Sequence, residues 1–382
     1  MRRLMLGLTI ATCALIAAPG AGVALAAGPV ARRTETASPS APTPASPSAP
    51  GAPSALASPP ASTPPSAPAP PVAPASPVAP APPVAARVRL RLSGTFRVGG
   101  GLVTVTGRAV AFRGLVRPYV AGQWVQVQSY VGTRLLATEL LRVKPSGAGG
   151  GGAGGQGAFT ATVRSPAAGV LRVRVTHPAT AAMGGFSAQR ALTVLGDSAR
   201  PGSRGLLVEL VQQRLRALHF HLPWTGVFDQ GTQLALDAYH RLLGWGEGNR
   251  SLGAATVNDL LDGRGTFAVR FPHQGRHAEG DLTHQVLALV DGSRVQAIYP
   301  ISSGKPSTPT ILGSFRVYYR VPGYLPDGMY YSDFFITGYA IHGYDPAPDH
   351  PASHGCMRLP IVDAIPVFNW LALGDWVDTY YR

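Results

Sequence analysis

Residues 340–360 read AIHGYDPAPDHPASHGCMRLP. Two His-Gly dipeptides, His342-Gly343 and His354-Gly355, frame a Pro- and Asp-rich loop, and Cys356 follows the second directly. A thiol attacks as the thiolate, so it needs a nearby base or a positive potential. Histidine supplies both near neutral pH. The glycines let the backbone approach a substrate carbonyl, and the successive N–H groups around Gly355 and Cys356 can face an oxyanion. Arg358, two residues on, could hold a carboxylate or the loop itself. His350 and His354 stand four apart, a ligand spacing on a helix, but Pro346, Pro348 and Pro351 make this stretch a loop. Taken singly, each residue also has a structural reading: an isolated cysteine is commonly a small buried hydrophobe. The joint pattern is what carries chemistry.

That pattern, His-Gly, a loop, then Ser353-His354-Gly355-Cys356-Met357-Arg358, resembles the active-site signature of the L,D-transpeptidases of YkuD type. The loop is slightly shorter than the family's, with ten residues between His342 and Ser353. The preceding sequence agrees: SGKPSTPTILGSFRVYYR carries Thr308-Pro309 and Gly313-Ser314-Phe315 where the family has T-P-x-G-x-F. The resemblance covers about 115 residues and implies a mostly-β catalytic domain over 266–382. Within it THQVLALVDGSRVQAIYPIS reads as a hairpin with an Asp291-Gly292 turn, YYSDFFITGYAIHG as a strand running into His342, and IVDAIPVFNWLALGDWVDTYY as a short helix and a final strand.

The rest of the chain divides by composition. Residues 1–27 have Arg2 and Arg3, an apolar run and the small residues Ala24-Leu25-Ala26. They read as a secretory signal, with an uncleaved membrane anchor as the alternative. Without it, Cys356 is the only cysteine left, so the exported chain has no internal disulfide framework and one candidate reactive thiol. Residues 28–86, nearly all Ala, Pro and Ser, cannot bury a core and read as an extended tether.

From 87 to 196, short alternating runs such as QWVQVQSYV and GVLRVRVTH are bounded by Gly and Pro. They predict a β-sandwich of about seven strands, resembling bacterial Ig-like modules, with the glycine-rich stretch 146–157 as a loop. From 203 to 262 the period becomes helical. LLVELVQQRLRALHF sets Leu207, Leu210, Val211, Leu215 and Leu218 on one face; Asp229 marks the next helix start, and SLGAATVNDLL a short third helix. Gly226–Thr232 (G-x-F-D-x-x-T) and the T-x-x-x-L of Thr256 and Leu260 make this segment resemble the peptidoglycan-binding three-helix module, with Tyr239-His240 where that module usually has Phe-Gln.

Net charge is +14, and Lys144 and Lys305 are the only lysines. No basic cluster is interleaved with aromatics, which argues against nucleic acid. Dispersed arginines suit an envelope rich in anionic polymers. The expectation is therefore an exported, multidomain cell-wall enzyme acting on peptidoglycan stem peptides and glycan, needing no metal or organic cofactor. The resemblance implies two-step acyl transfer: Cys356 as nucleophile, His342 as base, and His354 beside them. Ser353, Gly343, Gly355, Arg358 and either Tyr331 or Tyr330 would bind substrate or oxyanion, and carbapenems would inhibit. Water in place of the acceptor amine would make an L,D-carboxypeptidase, and a degenerate site a wall-binding scaffold.

Overall fold

The computed structural model describes residues 83–147 and 155–382. The signal segment 1–27, the tether up to residue 82 and the glycine stretch 148–154 lie outside the described residues. The protein is mostly β, with four helices among the described residues, none long and apolar enough to cross a membrane.

The first region holds ten strands rather than about seven: β1 Arg87–Ser93, β2 Phe96–Val98, β3 Gly101–Val105, β4 Ala109–Arg117, β5 Trp124–Val131, β6 Arg134–Arg142, β7 Lys144–Pro145, β8 Gly157–Arg164, β9 Gly169–His177 and β10 Phe186–Leu195. The surplus comes from the very short β2 and β7, whose few residues carry too little alternation to be read, and from β3 and β4, which a turn at Gly107 separates within the single run GLVTVTGRAV. The strands form two sheets, β1-β4-β8-β7 and β2-β3-β10-β9-β5-β6. In β9, Leu171, Val173 and Val175 point inward while Arg172 and Arg174 face water, the period of two that a half-buried strand requires. Val110, Phe112, Val127, Phe159 and Val173 fill the space between the sheets.

Three helices follow, α1 Leu206–Ala217, α2 Gln230–Leu242 and α3 Ala254–Leu261. On α1 the buried face includes Val208, Leu210, Val211 and Leu215, with Leu207 only partly covered. Asp229 caps α2, its carboxylate accepting the Thr232 N–H at 2.9 Å, which satisfies one of the donors a helix start leaves free. Tyr239 and His240 are both fully buried, and the His240 ring bonds the Asn249 carbonyl and the Thr256 hydroxyl. These two residues therefore serve the interior.

The C-terminal region comprises β11 Arg276–Asp281, β12 Val286–Asp291, β13 Arg294–Pro300, β14 Gly313–Arg316, β15 Tyr319–Tyr324, β16 Tyr330–Ile336, β17 Tyr339–Tyr344, β18 Met357–Pro360, α4 Ile361–Trp370 and β19 Trp376–Tyr380. The expected single strand into His342 is two, β16 and β17, paired antiparallel around a turn at Gly338, whose φ of 80° suits glycine. One sheet runs β13-β12-β11-β19-β14, the other β15-β16-β17-β18.

β12, VLALVD, is buried on both faces, which explains its unbroken apolar run. Leu287 and Leu289 face the second sheet with Ile341, Met357 and Leu359. Val286, Ala288 and Val290 face the helices, in one core with Val211, Leu215 and Leu236 that also takes in Val98, Val103 and Val105 of the sandwich. Segment 219–221 bonds along the edge of β13, with Ile298 N–H donating to His219 O and His221 N–H to Ile298 O, covering an otherwise open strand. The helices are thus wedged between two β regions.

Candidate active site

β17 and β18 run parallel, and their register sets His342 opposite Arg358 and Ile341 opposite Met357. Parallel neighbours need a crossover; here it is residues 345–356, which end in the cysteine. Cys356 is half-buried just before β18, its thiol donating to the Gly338 carbonyl at 3.7 Å. Burial pushes the Cys356 thiol up; the Ala340 N–H and the Arg358 charge pull the other way.

His342 is buried. Its Nδ1–H donates to the Gly343 carbonyl at 2.9 Å, which fixes the tautomer and leaves Nε2 unprotonated. Burial, and secondarily Arg358, lowers its pKa to about 4. At neutral pH the imidazole is neutral and the thiol protonated, so the first can accept a proton and the second can supply one. The Arg358 guanidinium lies over the Tyr344 ring, 4.1 Å from its centroid.

The turn 353–356 is built around Ser353, which is fully buried. Its hydroxyl donates to the Cys356 carbonyl at 2.6 Å and accepts the Gly355 N–H at 3.0 Å. Its main chain is held by Ser303 O, Lys305 N–H and the Thr308 hydroxyl. Ser353 is therefore a clamp on the backbone of Cys356, and the Gly355 N–H expected at the oxyanion is already engaged. The His354 and Cys356 amides are the donors that remain. Gly355 has φ +122° and a side-chain carbon there would fall 1.7 Å from Tyr339 Cε1, so no other residue fits without displacement. His354 is exposed, its Nε2 receiving the Lys305 ammonium at 3.3 Å.

Of the other expected substrate contacts, Gly343 serves packing: a Cβ would meet Ala364 Cβ of α4 at 2.7 Å. Tyr331, half-buried at φ 51°, sets its ring edge-on to Tyr330 and Phe368. Residues to which the sequence reading gave no role at the site are Tyr339, Ser303, Lys305 and Thr308, the last of these noted only as part of a family motif. The last three lie in the SGKPSTP stretch, where Gly304 packs so closely that a Cβ would lie 2.3 Å from Thr308 O. A glycine inside a Ser/Thr-rich loop was the available signal. Among the described residues no group of three or more His, Cys, Asp or Glu side chains could hold a metal ion.

Residues 275–378, which hold the two parallel strands and the serine-clamped turn, match the family model YkuD, the L,D-transpeptidase catalytic domain. This segment is an L,D-transpeptidase catalytic domain. Similar solved structures include an L,D-transpeptidase from Xylanimonas cellulosilytica, 29% identical over 48% of this chain and 98% of that one, with a TM-score of 0.45. Another is the L,D-transpeptidase (Yku) from Stackebrandtia nassauensis, 19% identical over 48% and 95%, TM-score 0.31. A third is the catalytic domain of the E. faecium L,D-transpeptidase, 27% identical over 28% and 98%, TM-score 0.25. No curated protein matches the chain.

Proposed function

We propose that the protein is an exported cell-wall L,D-transpeptidase that forms 3–3 peptidoglycan cross-links through a Cys356 thioester. The observation that carries this reading is a neutral, oriented His342 on β17 next to β18, whose first residue Met357 directly follows Cys356, inside a domain matched to that family. In the first step Cys356 Sγ bonds to the carbonyl carbon of the third residue of a tetrapeptide stem. His342 Nε2 takes the thiol proton and returns it to the departing amine of the terminal D-alanine. The developing oxyanion is met by the His354 and Cys356 N–H groups. In the second step a side-chain amine of a neighbouring stem attacks the thioester. His342 removes its proton, the amide forms and the thiol is regenerated. Every bond is made and broken by protein and substrate groups alone. Exposed His354 supplies its backbone N–H, and Arg358 holds the local potential positive.

Mass analysis of the muropeptides formed from purified disaccharide-tetrapeptide tests this. Cross-linked dimers lacking one D-alanine are expected, along with a transient protein adduct on Cys356. Trimmed tripeptides alone would establish the carboxypeptidase reading. Unaltered substrate would leave a wall-binding scaffold.

A further inference from the structure

One buried ion pair outside the reacting groups ties the helices to the active-site loop. Arg241, in the last turn of α2, is 3% exposed. Its Nε and Nη2 bond both carboxylate oxygens of Asp237, one turn earlier, at 2.9 and 2.8 Å. Nη1 donates to Ile301 O at 2.7 Å and Gln285 O at 3.2 Å, and Nη2 also donates to Asp349 O at 3.0 Å. All five guanidinium N–H donors are thereby used, three of them on main-chain carbonyls of the C-terminal region. Asp237 Oδ1 accepts the Gly248 N–H at 2.9 Å. Gly248, at φ 70°, lies so close to the loop that a Cβ would meet Asp349 Oδ2 at 2.5 Å.

Those carbonyls are placed at the root of the site. Ile301 precedes Ser302, whose hydroxyl donates to His350 O at 2.6 Å. Ser303 O receives the Ala352 and Ser353 N–H groups, and Ser353 clamps Cys356. One guanidinium therefore grips both 301–303 and the loop suspended from it. A joint that served only to keep two regions together would be as stable with apolar side chains, because a desolvated ion pair costs about as much as it returns. What a planar, fully bonded guanidinium adds is a fixed mutual orientation of the groups it bonds.

We propose that Arg241, oriented by Asp237, is a positioning residue for the reaction: it holds loop 345–352, and through it the turn 353–356, in reactive register. The helical region is then a structural part of the catalytic unit and not a detachable wall anchor. This inference rests on the reading of Cys356 and His342 as the reacting pair.

The test uses the full chain. Changing Arg241 alone to an apolar residue leaves the buried Asp237 charge with only the half-exposed Arg250 guanidinium, 4.0 Å away. The informative variants are therefore the double change Asp237→Leu/Arg241→Met, which removes both charges, and Arg241→Lys, which keeps the charge and loses the fork. Three quantities are measured: amide hydrogen exchange of 349–353 against α1 as internal reference, kcat and KM on a soluble tetrapeptide donor, and the melting temperature. In the double variant 349–353 should lose protection while α1 keeps it. kcat/KM should fall about tenfold or more, mainly in kcat, as expected when reacting groups are misplaced by a fraction of an ångström to 1 Å. The lysine variant should fall between. Unchanged exchange at 349–353, or kcat/KM within about twofold of wild type in the double variant, overturns the proposal. Exchange is read whether or not substrate turns over. Wild-type protein without turnover would therefore sink the function proposed above, while exchange alone decided the role of Arg241 in holding the loop.

Discussion

His342 and Arg358 face each other across the parallel ladder of β17 and β18, one on each strand. The arginine's charge disfavours protonation of the buried imidazole and favours ionisation of Cys356. Burial is the larger influence on both: it keeps the histidine neutral and the thiol protonated. On the mechanism proposed above, proton transfer is withheld until a carbonyl arrives to accept the sulfur.

The acid limb of activity should follow this balance. A histidine at its ordinary 6.5 would be half protonated there, whereas His342 is lowered to about 4 and remains a base through mildly acidic conditions. A profile of kcat/KM should stay level well below pH 6.5 and decline toward the region of pH 4. His342→Gln should abolish acylation without lowering the melting temperature. A limb centred at 6.5 or higher in wild type would show that the imidazole is not held neutral by burial.

Gly355→Ala should be costly at a position carrying no side chain. The backbone there is in a region L-residues rarely adopt, worth about 1–3 kcal/mol, and the new methyl would overlap Tyr339. We expect a lower melting temperature and loss of Cys356 acylation. Pairing it with Tyr339→Ala should recover part of the stability, since overlap is relieved and the dihedral strain is not. Equal melting of Gly355→Ala and wild type would mean that the turn is slack.

A carbapenem offers a strained acyl group whose leaving nitrogen stays attached after ring opening. The adduct should therefore add the whole drug mass, once, on the peptide carrying 353–358. Cys356→Ser should show none at neutral pH, because an alcohol is far harder to ionise than a thiol and His342 cannot offset the difference. An equal adduct on the serine variant would remove the cysteine mechanism.

Asp363, in the first turn of α4, is buried and raised to about 7 by that burial. A carboxyl whose folded pKa exceeds its unfolded value favours folding while protonated in both states, below about 3.8, and that contribution is lost as pH rises through about 7. Asp363→Asn should therefore match wild type in acid and exceed it above neutrality. The bound on the gain is about 4 kcal/mol, reduced by the favourable helix N-terminus. Urea unfolding at the two ends of this range measures it; a variant advantage independent of pH would mean that Asp363 is ionised throughout.

Much of this protein was open to reading from its residues. The two His-Gly dipeptides and the cysteine directly after the second are visible as a pattern because these residue types stand within one short stretch of the chain, 342–356. The hairpin of β12 and β13 turns at Asp291-Gly292, where Gly292 takes φ 60°, because local turn geometry demands glycine. The start of α2 at Asp229 is likewise local.

Other features were decided only by tertiary contact. β12 has an apolar run whose two destinations, helices on one face and a second sheet on the other, follow from packing. Ser353 reads as a substrate contact beside Cys356, yet the fold turns its hydroxyl onto the Cys356 carbonyl. Gly343 reads the same way, and α4 packs against it instead. Nothing in the sequence pattern singles out Arg241. Its partners are main-chain carbonyls up to 108 residues away, and a carbonyl has no residue type by which sequence could mark it. Sequence by itself determined which residue types stand together in the Ser353–Arg358 run and which short segments turn, because those depend on neighbours along the chain. The tertiary structure decided which buried polar groups hold the reacting ones in place, because that depends on atoms brought together only by the closing of the core.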